Sequence, residues 1–203
     1  MRTPISLVLL LLGLIGQNIL AAPTLGLFAD ALSYLLGGEH AKPGNKPENI
    51  PPSMQDISNA AQTWQGDTKT VSNFLSHAET LSPQELQEQG TLAFSAIKDE
   101  MVQKAVLDKV FLNGTAEARD PGVVLANDTL SNQGISAFVV DGLALFSNIG
   151  AKLTPEEVTI FVRAVNQDRC VNVLPSIDAY LSAAEVFLGS GNGTFKAIRP
   201  SNC

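Results

Sequence analysis

The sequence predicts an all-α fold: a four-to-five-helix bundle with one C-terminal disulfide and a tethered N-terminal amphipathic helix. Three observations carry that expectation. Apolar residues recur at spacings of three and four through most of the chain, and no long stretch alternates with period two. Ser82-Pro83-Gln84-Glu85 and Thr154-Pro155-Glu156-Glu157 each place a capping side chain, a proline at the first helical position and a glutamate at the third. Both cysteines, Cys170 and Cys203, fall in the last segment, with a glycine-rich tip, Gly189 to Gly193, between them.

The chain opens Met1-Arg2, runs apolar from Ile5 to Ile15, and leaves through the small residues Ala21-Ala22. A charged start, a short apolar core and a small-residue exit read as a secretory signal peptide over residues 1–21. The apolar run is shorter than the ~20 residues a membrane span requires, and no second run is long enough to span. In the oxidising compartment this implies, two cysteines most simply form one bridge, Cys170 to Cys203. The expected localisation is secreted and extracellular. Three N-x-S/T acceptors, at Asn113, Asn127 and Asn192, fit that compartment. Asn113 and Asn192 lie beside glycine in predicted loops, and Asn127 is expected near a helix start.

Residues 22–53 form a small unit. Leu25, Phe28, Leu32 and Leu35 make one helical stripe, ended by Gly37-Gly38. The linker that follows, with Pro43, Gly44, Pro47, Pro51 and Pro52, is a tether. The stripe is read either as docking on the main domain or as an apolar arm that contacts a surface, a lipid or a partner.

The bundle domain covers residues 54–203. Ser53 caps its first helix with Asp56 three residues on, and Met54, Ile57, Ala61, Trp64, Val71, Leu75 and Ala78 follow as the apolar stripe. The second helix starts at Pro83 and carries Leu86, Ala93, Phe94, Ile97 and Met101 inward. From Val102 to Leu112 apolar residues cover more than one face, which predicts a central element, and Asn113-Gly114 stops it. A third long helix is expected from about Gly122 to Asn148, with Phe138, Val139, Gly142, Leu145 and Phe146 on its wide apolar face and Asp141 at the edge. The fourth carries Val158, Phe161, Val162 and Val165, breaks at Pro175, and resumes through Ile177, Leu181 and Ala184. The glycine tip then lets the tail turn back, so that the bridge fastens it to the last helix pair.

Formal charge is −7, and removing Arg2 with the signal peptide makes the chain one unit more negative. Such a field repels phosphate backbones, which argues against nucleic-acid binding. The two histidines, His40 and His77, have no H-E-x-x-H or C-x-x-C context, so no metal and no cofactor is expected. There is no G-x-S-x-G elbow, and the glycine tip lacks the lysine and the leading strand of a phosphate loop. No catalytic residue is assigned, and the chain reads as non-enzymatic.

The segment Met54 to Leu81, with Asp56-Ile57-Ser58, Thr63, Val71 and Leu75, resembles the start of fungal hydrophobic surface-binding protein A domains. The resemblance covers the bundle to about Leu188. It implies a secreted helical protein that adsorbs to hydrophobic surfaces or to the cell wall. The end of the chain departs from that family. Arg169-Cys170, the run Val173-Leu174-Pro175-Ser176-Ile177-Asp178-Ala179-Tyr180, and Arg199-Pro200 with Cys203 are more similar to secreted ascomycete proteins without an assigned role. No functional residue carries over. The alternative reading is a cell-wall component or an effector that binds a protein partner; a hydrolase without a recognisable motif stands behind both.

Overall fold

A computed structural model describes residues 51–132, 135–191 and 193–203. The signal peptide, the Leu25-Phe28-Leu32-Leu35 stripe, most of the linker and Asn192 lie outside these residues. The described chain forms helices and no strands. Its order is α1 (Met54–His77), α2 (Pro83–Phe111), α3 (Pro121–Asn127), α4 (Ile135–Ile149), α5 (Pro155–Asp168) and α6 (Leu174–Phe187).

Local sequence sets the helix starts. Ser53, Ser82 and Thr154 each accept from the backbone N–H three residues on, and Asp56, Glu85 and Glu157 reach back to the cap backbone. These reciprocal bonds satisfy donors that the helix leaves without partners, and each capping side chain stabilises by about 0.5–2 kcal/mol. They also hold all three carboxyls below the usual carboxylate range. Asp120 caps α3 in the same way, through Gly122 and Val123.

α1 and α2 run back against each other and α4 packs on α2. Phe146 of α4 joins two neighbours, with ring centroids 5.2 Å from Phe74 on α1 and 6.3 Å from Phe161 on α5. The close approach of α4 to α2 depends on Gly90: a Cβ there would lie 2.8 Å from the Phe146 Cβ and 3.0 Å from its backbone. α6 supplies Leu174, Ile177, Tyr180 and Leu181 to the same core, and Trp64 packs 5.3 Å from Tyr180.

Two expectations are corrected and a third is narrowed. The third helix is not continuous: α3 ends at Asn127, a wide π-type turn follows over Asp128–Asn132, and α4 begins at Ile135. Met54 and Met101 are exposed, because the inward stripe of α1 starts at Ile57 and that of α2 passes through Glu100 and Leu107 instead. At Pro175, where a kink or a restart is expected, the structure shows the restart. A π-type turn over Arg169–Val173 absorbs the break, and Pro175 sits in the first turn of α6, where its missing N–H is tolerated.

Candidate functional site: a buried polar cluster, a seated tail and a shallow groove

Glu100 lies on the buried stripe of α2 and Arg169 in the turn before α6. Both are almost wholly excluded from solvent. Arg169 Nη2 donates to Glu100 Oε1 at 2.9 Å, and Trp64 Nε1 donates to Glu100 Oε2 at 3.3 Å. Burial pushes the Glu100 carboxyl up, against the pull of Arg169 and Trp64. Asp67, partly buried on α1, faces Asp99 and Glu100. Burial and then the crowding of those two carboxylates push it from 3.8 to about 7. A second cluster joins three helices: Lys104 Nζ donates to Asp108 Oδ2 at 2.7 Å and to Asn127 Oδ1 at 2.6 Å, and the Tyr180 hydroxyl donates to Asp108 Oδ1 at 2.6 Å. Most of these groups pair with one another, although Asp67 Oδ2 and Arg169 Nε and Nη1 find no hydrogen-bond partner among the described residues. The pairs position helices, and among the described residues no group of three or more His, Cys, Asp or Glu is arranged to hold a metal ion.

Cys170 and Cys203 are joined, with Cα atoms 5.7 Å apart. The tail is not fastened to the last helix pair alone, as the sequence suggested. It lies in a cleft between α1 and α6. Thr194 donates from its backbone and its hydroxyl to Glu185 Oε1, and Ala197 N donates to Asp178 Oδ1, so the tail runs back along α6. On the other wall, Gln65 Nε2 donates to the carbonyls of Thr194 and Lys196, Ser72 Oγ to that of Ile198, and Ile198 N to Thr68 Oγ1. Ser201 N donates to Ser76 Oγ. Arg199, read as a scattered charge, pairs with Asp178 at 2.6 Å.

A shallow groove of about 270 Å³ lies between α3 and α6; its lining is mixed, with Leu125, Ala126, Val171, Pro175 and Ala179 beside Gly122, Thr129, Asn172 and Ser176. Leu125 is 73% exposed and Val171 68%. Sequence reasoning missed this groove, since Leu125 falls in the first turns of the helix expected from Gly122 and Val171 within the fourth helix, with nothing to show that the two meet. A second shallow groove is lined by Gln84, Gln87, Glu88, Thr91 and Ala151.

Of the other sequence-derived sites, Asn113 is exposed just after α2. Asn127 is the last residue of α3 rather than near a helix start, and its Oδ1 also accepts from Ser131 Oγ at 3.1 Å. His77 ends α1, exposed, with Nδ1 2.8 Å from the Asn73 carbonyl oxygen. Asp141 is exposed on α4. No helix among the described residues is by itself long and apolar enough to cross a membrane. Comparison with protein-family models, with curated proteins and with solved structures gives no match.

Proposed function

We propose that this is a secreted, non-enzymatic helical protein that binds a hydrophobic surface or an apolar ligand outside the cell or at the cell wall. The observation that carries the reading is the pair of exposed apolar side chains, Leu125 and Val171, that stand on opposite walls of the shallow α3–α6 groove. A single exposed apolar residue needs no explanation, whereas exposed apolar residues that share one surface mark a candidate contact site. The bridge between Cys170 and Cys203 is compatible with an extracellular location.

Binding through the groove and binding through the Leu25-Phe28-Leu32-Leu35 stripe are separable. A chain lacking Ala22–Asn49 keeps Ser53 and therefore the cap of α1. A Leu125→Asp/Val171→Asp chain keeps the stripe. Retention on an octyl-coated support should fall in the groove variant if the groove is the contact, and in the truncated chain if the stripe is. Retention unchanged in both would remove both surfaces from the reading. Recovery of one specific cell-wall polymer or protein, with no affinity for the apolar support, would favour the interaction-module alternative.

A further inference from the structure

The α1–α6 cleft recognises its occupant chiefly through the main chain. Gln65, Thr68, Ser72 and Ser76 form one polar stripe on α1, at helical spacing, and each contacts a backbone amide or carbonyl of the tail. Asp178 takes the Ala197 amide from the opposite wall. Asn202 adds two side-chain bonds, its Nδ2 to the Leu75 carbonyl and its Oδ1 from Asn166 Nδ2. The tail's side chains are also read: the Thr194 hydroxyl donates to Glu185, Arg199 pairs with Asp178, and Ala197 and Pro200 are buried. A cleft that pairs with the main chain of a segment and takes a few of its side chains has the makings of a peptide site. Here it is filled by the chain's own end.

The turn that brings the tail there is rich in glycine, and Gly189 N and Ser190 N close its start on the Val186 and Glu185 carbonyls. Gly189, Gly191 and Gly193 all have positive φ, at 69°, 44° and 65°, a region that glycine adopts without strain. No atom lies within 4 Å of where a Cβ would sit at any of them, so the reversal is not held by packing at these positions. An element joined by such a turn and docked by contacts that an identical chain could equally supply has the arrangement needed for exchange between copies.

We propose that the α1–α6 cleft is a peptide site, and that before the bridge forms it accepts the tail of a second copy of this chain in place of its own. Oxidation then fixes whichever tail is seated. Two thiols, Cys170 and a Cys203, and one oxidised glutathione give one protein disulfide and two reduced glutathiones. The electrons go to the glutathione sulfurs, and the two thiol protons end on the glutathione thiols. Cys203 ends the seated segment next to Cys170 in the turn before α6, so a correctly seated foreign tail places the same two sulfurs together.

Exchange competes with the chain's own tail, whose effective concentration through a short linker is on the order of 1 mM. The test therefore refolds an equal mixture of ¹⁵N-labelled and unlabelled reduced full chains, at about 1 μM and about 1 mM, in glutathione buffer. Mass spectrometry then reads the Cys170–Cys203 cross-linked peptide. The expected result is a dimer fraction that grows with concentration, about half of whose cross-linked peptide is hybrid in mass. Same-mass peptides alone at both concentrations would overturn the proposal. A full chain lacking Gly189–Gly191 shortens the reversal and should shift folded, oxidised chain toward the hybrid dimer. The wild-type arm decides the question even if that variant does not fold.

Discussion

Arg169 Nη2 meets Glu100 Oε1 at 2.9 Å across 69 residues of sequence, and both side chains are buried. The contact joins α2 to the turn that carries Cys170, so the outer fastening and the inner ion pair sit on adjacent residues. Removing one partner leaves an uncompensated charge in the interior, which costs about 3–5 kcal/mol. Arg169→Ala should therefore lose that much in urea unfolding, while Glu100→Leu/Arg169→Met should lose much less, because apolar replacement of a buried pair is often neutral. Arg169 Nε and Nη1 find no hydrogen-bond partner among the described residues, which makes the pair incompletely compensated and its apolar replacement more tolerable. Additive losses in the two single variants and the double would show that the two groups are not coupled.

Asp67 makes the fold sensitive to pH. Its carboxyl is raised from 3.8 to about 7, so between those values the folded chain holds a proton that the unfolded chain releases. Stability contributed by this site is full below the lower value, falls as pH rises through the window, and is level above about 7. Asp67→Asn should flatten that slope, gaining stability over wild type at about pH 8 and little at about pH 4. The buried Glu100 is shifted in the same direction and leaves part of the slope in place. Urea midpoints that run parallel in the two chains across the range would contradict the assignment.

Two glycines in helices should respond with opposite sign. At Gly90 a methyl group meets the Cβ and backbone of Phe146, so Gly90→Ala must push α2 and α4 apart and should cost about 1–3 kcal/mol. At Gly66, within α1, nothing lies within 4 Å, and Gly66→Ala should stabilise by about 0.5–1 kcal/mol through helix propensity. Thermal or urea unfolding of the two variants reads both signs.

The helix starts were legible because a cap, a proline and a carboxylate act within four residues, as at Ser82 to Glu85 and Thr154 to Glu157. The bridge was legible by cysteine count alone. What was hidden depends on distant partners. Lys98-Asp99-Glu100 reads as a solvated face until Arg169 is brought against it. Gln65, Thr68, Ser72 and Ser76 carry no sequence signal of a partner, yet Thr68 and Ser72 are buried beneath the tail. The continuous helix expected from Gly122 failed at Asp128, where the apolar period continues while the backbone widens into a π-type turn. The groove was invisible for a related reason: it forms only where the end of α3 meets the turn before α6.

The bridge spans a sequence separation of 33, and a loop of that size restricts the unfolded chain by roughly 3–4 kcal/mol. Cys203→Ser should lower stability by about that amount while keeping helix content. Hydrogen exchange should quicken first at the Ala197 and Ile198 amides, whose acceptors are Asp178 and Thr68. Global unfolding with no preferential loosening of the tail would contradict a fastening role.

The central claim concerns the outer face of the molecule, and an adsorption isotherm on hydrophobic and hydrophilic particles of equal size tests it most directly. The account predicts saturable binding of the full chain to the hydrophobic particles only, weakened at least about tenfold by Leu125→Asp/Val171→Asp, which removes roughly 1.4 kcal/mol or more of apolar contact. Equal binding to both particle types, or an isotherm that the double substitution leaves unmoved, would contradict it.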